Sequence, residues 1–178
     1  VASVALGGRH ALALKRDGTV WAWGNNRLGQ LGDATTTSRL KPVQVKGLAG
    51  IVSIAAGGYH SLAVDDRGRL WQWGFGETEE TTPVLLTGID AVVDAAAGYG
   101  FSLVRTTDGR VWSWGSNFLG QLGDPSVVGQ RLAPAPVPDL DNAAAFAAGY
   151  DHGLSLKSDG TVWGWGWNDS GQLGNGLV

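Results

Sequence analysis

The tetrapeptide Trp21-Ala22-Trp23-Gly24 occurs four times along the chain, with only its second residue changed. The other copies are Trp71-Gln72-Trp73-Gly74, Trp112-Ser113-Trp114-Gly115 and Trp163-Gly164-Trp165-Gly166. Their first tryptophans are 50, 41 and 51 residues apart, and eight of the nine tryptophans of the 178-residue chain lie in these pairs. A period of this length indicates a repeat architecture in which each copy forms one supersecondary unit.

Other residues keep a constant distance from each tryptophan pair. A leucine stands nine positions before the first tryptophan, and two positions before that leucine stand His10, His60, Phe101 and His152. Three copies continue into an Asn-x-x-Gly-Gln-Leu-Gly segment, here called the tail, at Asn26–Gly32, Asn117–Gly123 and Asn168–Gly174. The second copy lacks the tail and has Phe75-Gly76-Glu77-Thr78-Glu79-Glu80 in its place. We therefore expect the second repeat to present a short acidic notch between two longer loops.

Each repeat contains stretches that are typical of short β-strands. Ile51–Ala56 and Ser61–Val64 are apolar runs, and Thr19–Trp23 places both of its tryptophans on one face by the two-residue period. Asp-Gly pairs such as Asp17-Gly18 predict tight hairpin turns in which both residues have positive φ. A proline is expected to begin each outer edge strand, as at Pro42, Pro83 and Pro136.

Four strands per repeat, apolar on both faces, predict an all-β fold: a β-propeller of about four blades. The chain is expected to form one propeller segment, with repeats at about 1–50, 51–88, 89–140 and 141–178. A β-sandwich needs no repeat, a β-helix has a much shorter period, and the Gly-His and Trp-Asp signatures of WD40 blades are missing.

The repeat resembles that of the regulator of chromosome condensation, the RCC1-like family. The resemblance rests on Ala55–Val64, on Gly68–Gly74 and on the tails of the first, third and fourth repeats, and it covers the entire chain. It implies a ring of seven blades, whereas this chain supplies four sets of inner strands and three proline-led outer strands. We therefore expect a partial ring, or a ring closed by association of copies; a self-closed ring of four blades is the alternative.

Composition narrows the classes of function. The net charge of −3 argues against a nucleic-acid-binding surface, which requires a basic patch. The absence of cysteine excludes thiol catalysis. No apolar run reaches the length of a membrane helix, so we predict a soluble protein, cytoplasmic or secreted, without a membrane partner. Because the chain begins at Val1 and contains no methionine, we expect a processed product or a fragment.

The residues of the repeat frame are predicted to be structural. The three histidines occupy one repeat position, which favours a recurring packing role over a shared metal site. The paired tryptophans are expected to form core wedges between blades rather than a sugar-stacking surface. Scattered serines and carboxylates, including Glu77, Glu79 and Glu80, predict neither catalysis nor a cofactor, so we expect no enzyme. The residues assigned to the frame are His10, His60, His152, Trp21, Trp23, Trp71, Trp73, Trp112, Trp114, Trp163 and Trp165.

The residues that vary within this frame predict a protein-binding face. They follow the repeat glycines Gly7, Gly57, Gly98 and Gly149, where the same turn of every blade emerges on one side of a propeller. They are rich in the aromatic and arginine residues of interface hot spots. The predicted partner-binding arc comprises Arg9, Tyr59, Tyr99, Phe101, Tyr150 and Asp151. The residues therefore favour a protein-interaction scaffold. The resemblance also allows a guanine-nucleotide exchange factor for a small GTPase, or a secreted enzyme-inhibitor or adhesion module.

Overall fold

A computed structural model describes residues 1–76 and 79–177 as fifteen β-strands in four antiparallel sheets. The first sheet, blade 1, contains β1 (Ser3–Leu6), β2 (His10–Leu14), β3 (Val20–Gly24) and β4 (Arg39–Gln44). Blade 2 contains β5 (Ile51–Ala56), β6 (His60–Asp65), β7 (Leu70–Gly74) and β8 (Glu80–Leu86). Blade 3 contains β9 (Val92–Ala97), β10 (Phe101–Thr106), β11 (Val111–Ser116) and β12 (Gln130–Pro136). Blade 4 contains β13 (Ala143–Ala148), β14 (His152–Lys157) and β15 (Val162–Gly166).

The strands follow one another in spatial order within each blade, and the first strands of neighbouring blades pack together. β1, β5, β9 and β13 are therefore the inner strands, and β4, β8 and β12 form the outer edges. This is the predicted all-β propeller architecture. Among the described residues no helix is long and apolar enough to cross a membrane.

The turn between the second and third strands differs from the prediction. Gly18 has a φ of 77°, but Asp17 is absent from the residues with positive φ. The Gly18 amide donates to the Lys15 carbonyl and the Lys15 amide to the Thr19 carbonyl, so the glycine follows an ordinary turn as a one-residue bulge. The Asp17 side chain instead accepts hydrogen bonds from the amide and hydroxyl of Thr19, and these bonds stabilise the turn.

The outer strands also correct the prediction, because they begin before their prolines. Pro42 lies inside β4, Pro83 lies inside β8, and Pro136 is the last residue of β12. Each outer strand has a register irregularity opposite the tryptophan pair, and Pro42 and Pro83 fall within it. A proline is accommodated there because the bulged backbone amide has no partner in the ladder to lose.

Three apolar cores lie between consecutive blades rather than inside any one of them. In the first, Leu12, Leu14 and Val20 of blade 1 pack against Ile54, Trp71 and Trp73 of blade 2. The second core joins blades 2 and 3, and the third joins blades 3 and 4, through equivalent positions. In the second and third repeats both tryptophans therefore pack towards the preceding blade, so the two side chains share one face of the strand as the two-residue period predicts.

The four blades form an open arrangement. The described part of blade 4 has three strands, so the first tryptophan of its pair, Trp163, has no outer strand beside it. That side chain is 48% exposed, whereas the first tryptophans of the other pairs, Trp21, Trp71 and Trp112, are half-buried. Trp163 is thus an exception to the predicted role of the tryptophans as buried wedges.

Candidate interaction site

The turns that follow the inner strands, at Gly7, Gly57, Gly98 and Gly149, meet beside those strands. The Gly8 amide donates to the Gly57 carbonyl, the Gly58 amide to the Tyr99 carbonyl and the Tyr99 amide to the Tyr150 carbonyl. Each turn is therefore hydrogen-bonded to the turn of the next blade. This backbone chain holds the side chains of the turns on one rigid platform.

Three tyrosines of these turns form one contiguous cluster. The rings of Tyr59 and Tyr99 meet edge to face with centroids 5.3 Å apart, and those of Tyr99 and Tyr150 stack at 4.3 Å. The hydroxyls of Tyr59 and Tyr99 are 3.0 Å apart and share a hydrogen bond. We call Tyr59, Tyr99 and Tyr150 the tyrosine cluster. Tyr59 and Tyr99 are half-buried, and Tyr150 is exposed.

The cluster borders a depression of about 450 Å³ that is also lined by Arg9. The hydrogen bond with Tyr99 raises the pKa of Tyr59, while the Arg9 guanidinium opposes this shift. Tyr59 is therefore a neutral phenol at ordinary pH, able both to donate and to accept a hydrogen bond. The exposed Arg9 supplies a positive charge at one end of the arc.

Phe101 does not belong to the surface arc, and its assignment to partner binding is wrong. Its side chain is 1% exposed and packs in the core between blades 3 and 4, in contact with the position where a Cβ on Gly98 would lie. Phe101 occupies the repeat position of His10 and His60. Like those histidines it is buried between two blades, so it belongs to the frame.

Asp151 is half-buried and holds the tail of the preceding blade. Its carboxylate accepts a hydrogen bond of 2.9 Å from the side-chain amide of Gln121, and its carbonyl accepts one from the Trp167 amide. Arg9, Tyr59, Tyr99 and Tyr150 are thus brought together as the sequence suggested, whereas Asp151 faces a different neighbour. That these residues bind a partner remains a prediction.

The frame histidines connect blades through serine hydroxyls. His10 Nε2 lies 2.8 Å from Ser61 Oγ, and His60 Nε2 lies 2.8 Å from Ser102 Oγ, each serine belonging to the next blade. Ser61 in turn donates to the carbonyl of Gln30. Burial lowers the pKa of both histidines to about 4, so both are neutral at pH 7.

These Ser–His pairs do not form a nucleophilic site. Ser61 is completely buried, and His10 Nδ1 has no hydrogen-bond partner that would orient the ring as a general base. Within residues 1–76 and 79–177 no group of three histidine or acidic side chains is placed to hold a metal ion. That the chain has neither enzymatic activity nor a cofactor remains a prediction.

The tails of blades 1 and 3 explain how the second tryptophan of the following blade is fixed. Trp73 Nε1 donates to the carbonyl of Gln30 in the tail of blade 1, and Trp165 Nε1 donates to that of Gln121 in the tail of blade 3, both at 2.9 Å. The leucines that follow, Leu31 and Leu122, are completely buried. The tail of one blade therefore fills the space in front of the tryptophan of the next.

The second repeat has the expected short loop. Five residues separate β7 from β8; Glu79 is the last of them, and Glu80 begins β8. Glu77, the third carboxylate of the predicted notch, lies outside the described residues. Where the second repeat has no tail, the described residues line a cavity of about 900 Å³ between blades 2 and 3.

Comparison with known sequences identifies relatives along the entire chain. A sequence model of the RCC1-like domain family matches residues 1–177. The ultraviolet-B receptor UVR8 of Arabidopsis thaliana is 32% identical over 175 residues, covering 97% of this chain and 31% of that protein. The human E3 ubiquitin-protein ligase HERC2 is 42% identical over 50 residues, which are 28% of this chain and 1% of HERC2.

Solved structures show the same fold. Human WBSCR16 superposes with a TM-score of 0.89 at 26% identity, covering 99% of this chain and 50% of that one. Prp20p of Saccharomyces cerevisiae, whose structure is described with its binding to Gsp1p and histones, superposes with a TM-score of 0.85 at 28% identity, covering 97% of this chain and 45% of that one. The chain thus spans half or less of the length of these relatives.

Proposed function

Because the chain belongs to the RCC1-like domain family, we propose that it is a protein-interaction module that binds a partner protein through the tyrosine cluster and Arg9. The observation that carries this proposal is the contiguity of the three rings. Tyr99 touches both of the other tyrosines, so the cluster presents one aromatic surface rather than three separate side chains.

The chemistry of the cluster suits a protein partner. Tyrosine offers a large apolar ring and a polar hydroxyl and loses little conformational entropy on binding, and tyrosine and arginine are enriched among interface hot spots. The platform beneath the rings is held by hydrogen bonds between blades, so little reorganisation opposes binding.

The proposal is tested by capturing partners from the source organism on the immobilised chain and measuring the affinity of each for purified variants. Tyr59→Ala should weaken binding about tenfold or more, because a hot-spot tyrosine contributes 2 kcal/mol or more, with ~1.4 kcal/mol per tenfold. Its midpoint of urea unfolding should change little, because the Tyr59 side chain stands at a turn. Leu40→Ala, at a fully exposed position of the outer strand β4, is the control. Equal effects of the two substitutions would refute the proposal.

A second candidate is guanine-nucleotide exchange on a small GTPase. It is supported by the similarity to Prp20p and by the fact that exchange requires a docking surface but no catalytic acid or base. The test is the release of labelled nucleotide from small GTPases with and without the chain. An unchanged release rate across such a panel, together with capture of a partner that is not a GTPase, would reject the exchange factor and support the interaction module. The enzyme-inhibitor or adhesion role stays a prediction of the sequence alone.

A further inference from the structure

The interface between blades 2 and 3 differs from its two neighbours because no tail fills it. Between blades 1 and 2, and between blades 3 and 4, a tail places a carbonyl on the tryptophan indole and a leucine beside it. Between blades 2 and 3 the same region is the cavity of about 900 Å³, twice the volume of the depression beside the tyrosine cluster.

The groups that bind a tail are nevertheless present in this cavity. Trp114 and Ser102 stand at the repeat positions of Trp73 and Ser61, both of which donate to the Gln30 carbonyl at the first interface. Both line the cavity. The indole N–H of Trp114 donates instead to the side-chain carbonyl of Gln72, at 2.8 Å.

Gln72, a residue of blade 2, thus accepts the indole hydrogen bond that a tail carbonyl accepts at the other two interfaces. The residues at its repeat position are small: Ala22, Ser113 and Gly164. Its side-chain amide satisfies the indole but brings no leucine to the interface. A flexible side chain at a cavity wall is able to turn aside when another carbonyl takes its place.

The upper walls of the cavity are apolar and open to solvent. They are formed by Phe75, Val84, Phe118 and Leu132, of which Phe118 is 78% exposed. Exposed apolar side chains gathered around a groove typically mark a binding site. Most of the described lining residues are apolar or uncharged, so the surface is suited to a segment that contributes an apolar side chain and backbone carbonyls.

We propose that this groove binds a turn of a partner protein with the chemistry of the missing tail, a Gly-Gln-Leu-Gly-type segment. The glutamine carbonyl of that segment accepts from Trp114 Nε1 in place of Gln72, and its leucine enters the apolar part of the groove. The occupied interfaces on either side provide the template for both contacts. This site is separate from the proposed function of the tyrosine cluster, although Tyr99 lines both cavities.

The probe is a peptide with the sequence of residues 24–33, Gly-Asn-Asn-Arg-Leu-Gly-Gln-Leu-Gly-Asp, titrated into the intact chain. The indole N–H resonance of Trp114, assigned by its loss in Trp114→Phe, should shift in a saturable manner. A peptide carrying Leu31→Ala should bind about tenfold or more weakly, because the buried leucine supplies much of the apolar contact. No shift of the Trp114 resonance at millimolar peptide, or equal binding of the two peptides, would overturn the proposal.

Two equivalent leucines provide a matched pair of protein variants. Leu132→Lys places a charge on the groove wall, whereas Leu40→Lys makes the same change at the same repeat position of blade 1. Leu132→Lys should reduce peptide affinity about tenfold or more, while Leu40→Lys and Tyr59→Ala leave it within about twofold. Equal losses from both lysine variants would overturn the site. So would a dimer of the free chain that Leu132→Lys dissociates, since the occupant would then be a second copy.

Discussion

The imidazole of His60 lies 2.8 Å from the hydroxyl of Ser102 in the next blade. The residue at the histidine position of one blade therefore matches the residue at the serine position of the next. His10 pairs in the same way with Ser61. Blade 4 has Gly153 at the serine position, and there the preceding blade has Phe101 instead of histidine. A histidine would find no hydroxyl at that interface, so an apolar ring fills the space.

We expect His60 and Ser102 to be energetically coupled. His60→Phe leaves the buried Ser102 hydroxyl without the imidazole, and Ser102→Ala leaves the imidazole without the hydroxyl, so each should cost about 1–3 kcal/mol of unfolding free energy. The double variant should cost less than the sum, by about 0.5 kcal/mol or more, because it removes both unpaired groups. Urea unfolding of the four proteins measures this coupling.

The control for this cycle is Ser155, a completely buried serine of blade 4 that donates to Ala145 within its own blade. His60→Phe combined with Ser155→Ala should be additive, because the two residues share no partner. If His60 and Ser102 were equally additive, the histidine–serine contact would not contribute to stability.

The frame histidines should also make stability depend on pH. Burial lowers the pKa of His10 and His60 from 6.5 to about 4, so the unfolded chain takes up protons first as the pH falls. Their neutral pairing therefore contributes fully above pH 6.5, and the unfolding free energy should decline between pH 6.5 and 4, on the order of a few kcal/mol per histidine. Urea titrations at stepped pH give this profile.

Carboxylates change the unfolding free energy at lower pH than the histidines do, so the two contributions can be measured separately. Hydrogen bonds from Ser126, with the Arg131 guanidinium, hold the pKa of Asp124 below its usual value, so its stabilisation is present above the usual pKa and is lost as the pH falls through the lowered one. The variant His60→Phe should show a shallower decline between pH 6.5 and 4 but retain the loss at lower pH. An unchanged slope in that variant would contradict the assignment to histidine.

The sequence predicted the blades well because their signals are local. The two-residue period of Trp21 and Trp23, and the positive-φ glycine of each turn between the second and third strands, depend only on neighbouring residues. The prolines of the outer strands were misplaced because the register irregularity that accommodates Pro42 depends on β3, which is distant in sequence. Backbone pairing across a sheet is not visible in a local pattern.

The site was less accessible to prediction. Phe101 was assigned to the surface from its neighbours, although its alignment with His60 already pointed to the frame. Tyr59 and Tyr99 stand at different repeat positions, and they meet because Gly58 leaves room for the Tyr99 ring. The bond between Asp151 and Gln121 joins two blades, and no spacing along the chain reveals it.

Gly58 is therefore expected to control the geometry of the tyrosine cluster. A Cβ at this position would clash with the Tyr99 carbonyl and lie 2.7 Å from the Tyr99 ring, so Gly58→Ala should displace Tyr99 and break the contact with Tyr59. Gly8→Ala, at the equivalent position of blade 1, meets its nearest atom at 3.2 Å and should be milder. The near-ultraviolet circular dichroism of the tyrosines measures the difference. Similar spectra for the two variants would show that the cluster does not depend on Gly58.

The free face of blade 4 is expected to cause weak self-association of this chain. Val162 and Leu156 are exposed there, 66% and 41%, whereas their equivalents Val20 and Leu14 are buried by blade 2. An apolar face of this kind tends to associate, so sedimentation from low to high micromolar concentration should show a rising average mass. Val162→Lys should restore the monomer, while Val52→Lys, at an exposed valine of β5, should not.

Substitution at Ala11 then distinguishes two modes of association. In a head-to-tail contact, the face of blade 4 would meet blade 1, where Ala11 stands at the serine position. The imidazole of His152 would then find no hydroxyl opposite, because Ala11 stands where Ser61 and Ser102 pair with His10 and His60, and this is why the association should be weak. Ala11→Ser supplies that hydroxyl and should tighten a head-to-tail contact severalfold, as the pair of His60 and Ser102 implies. Unchanged association in this variant would mean that the copies meet through two blade 4 faces, and a monomer at every concentration would contradict the prediction altogether.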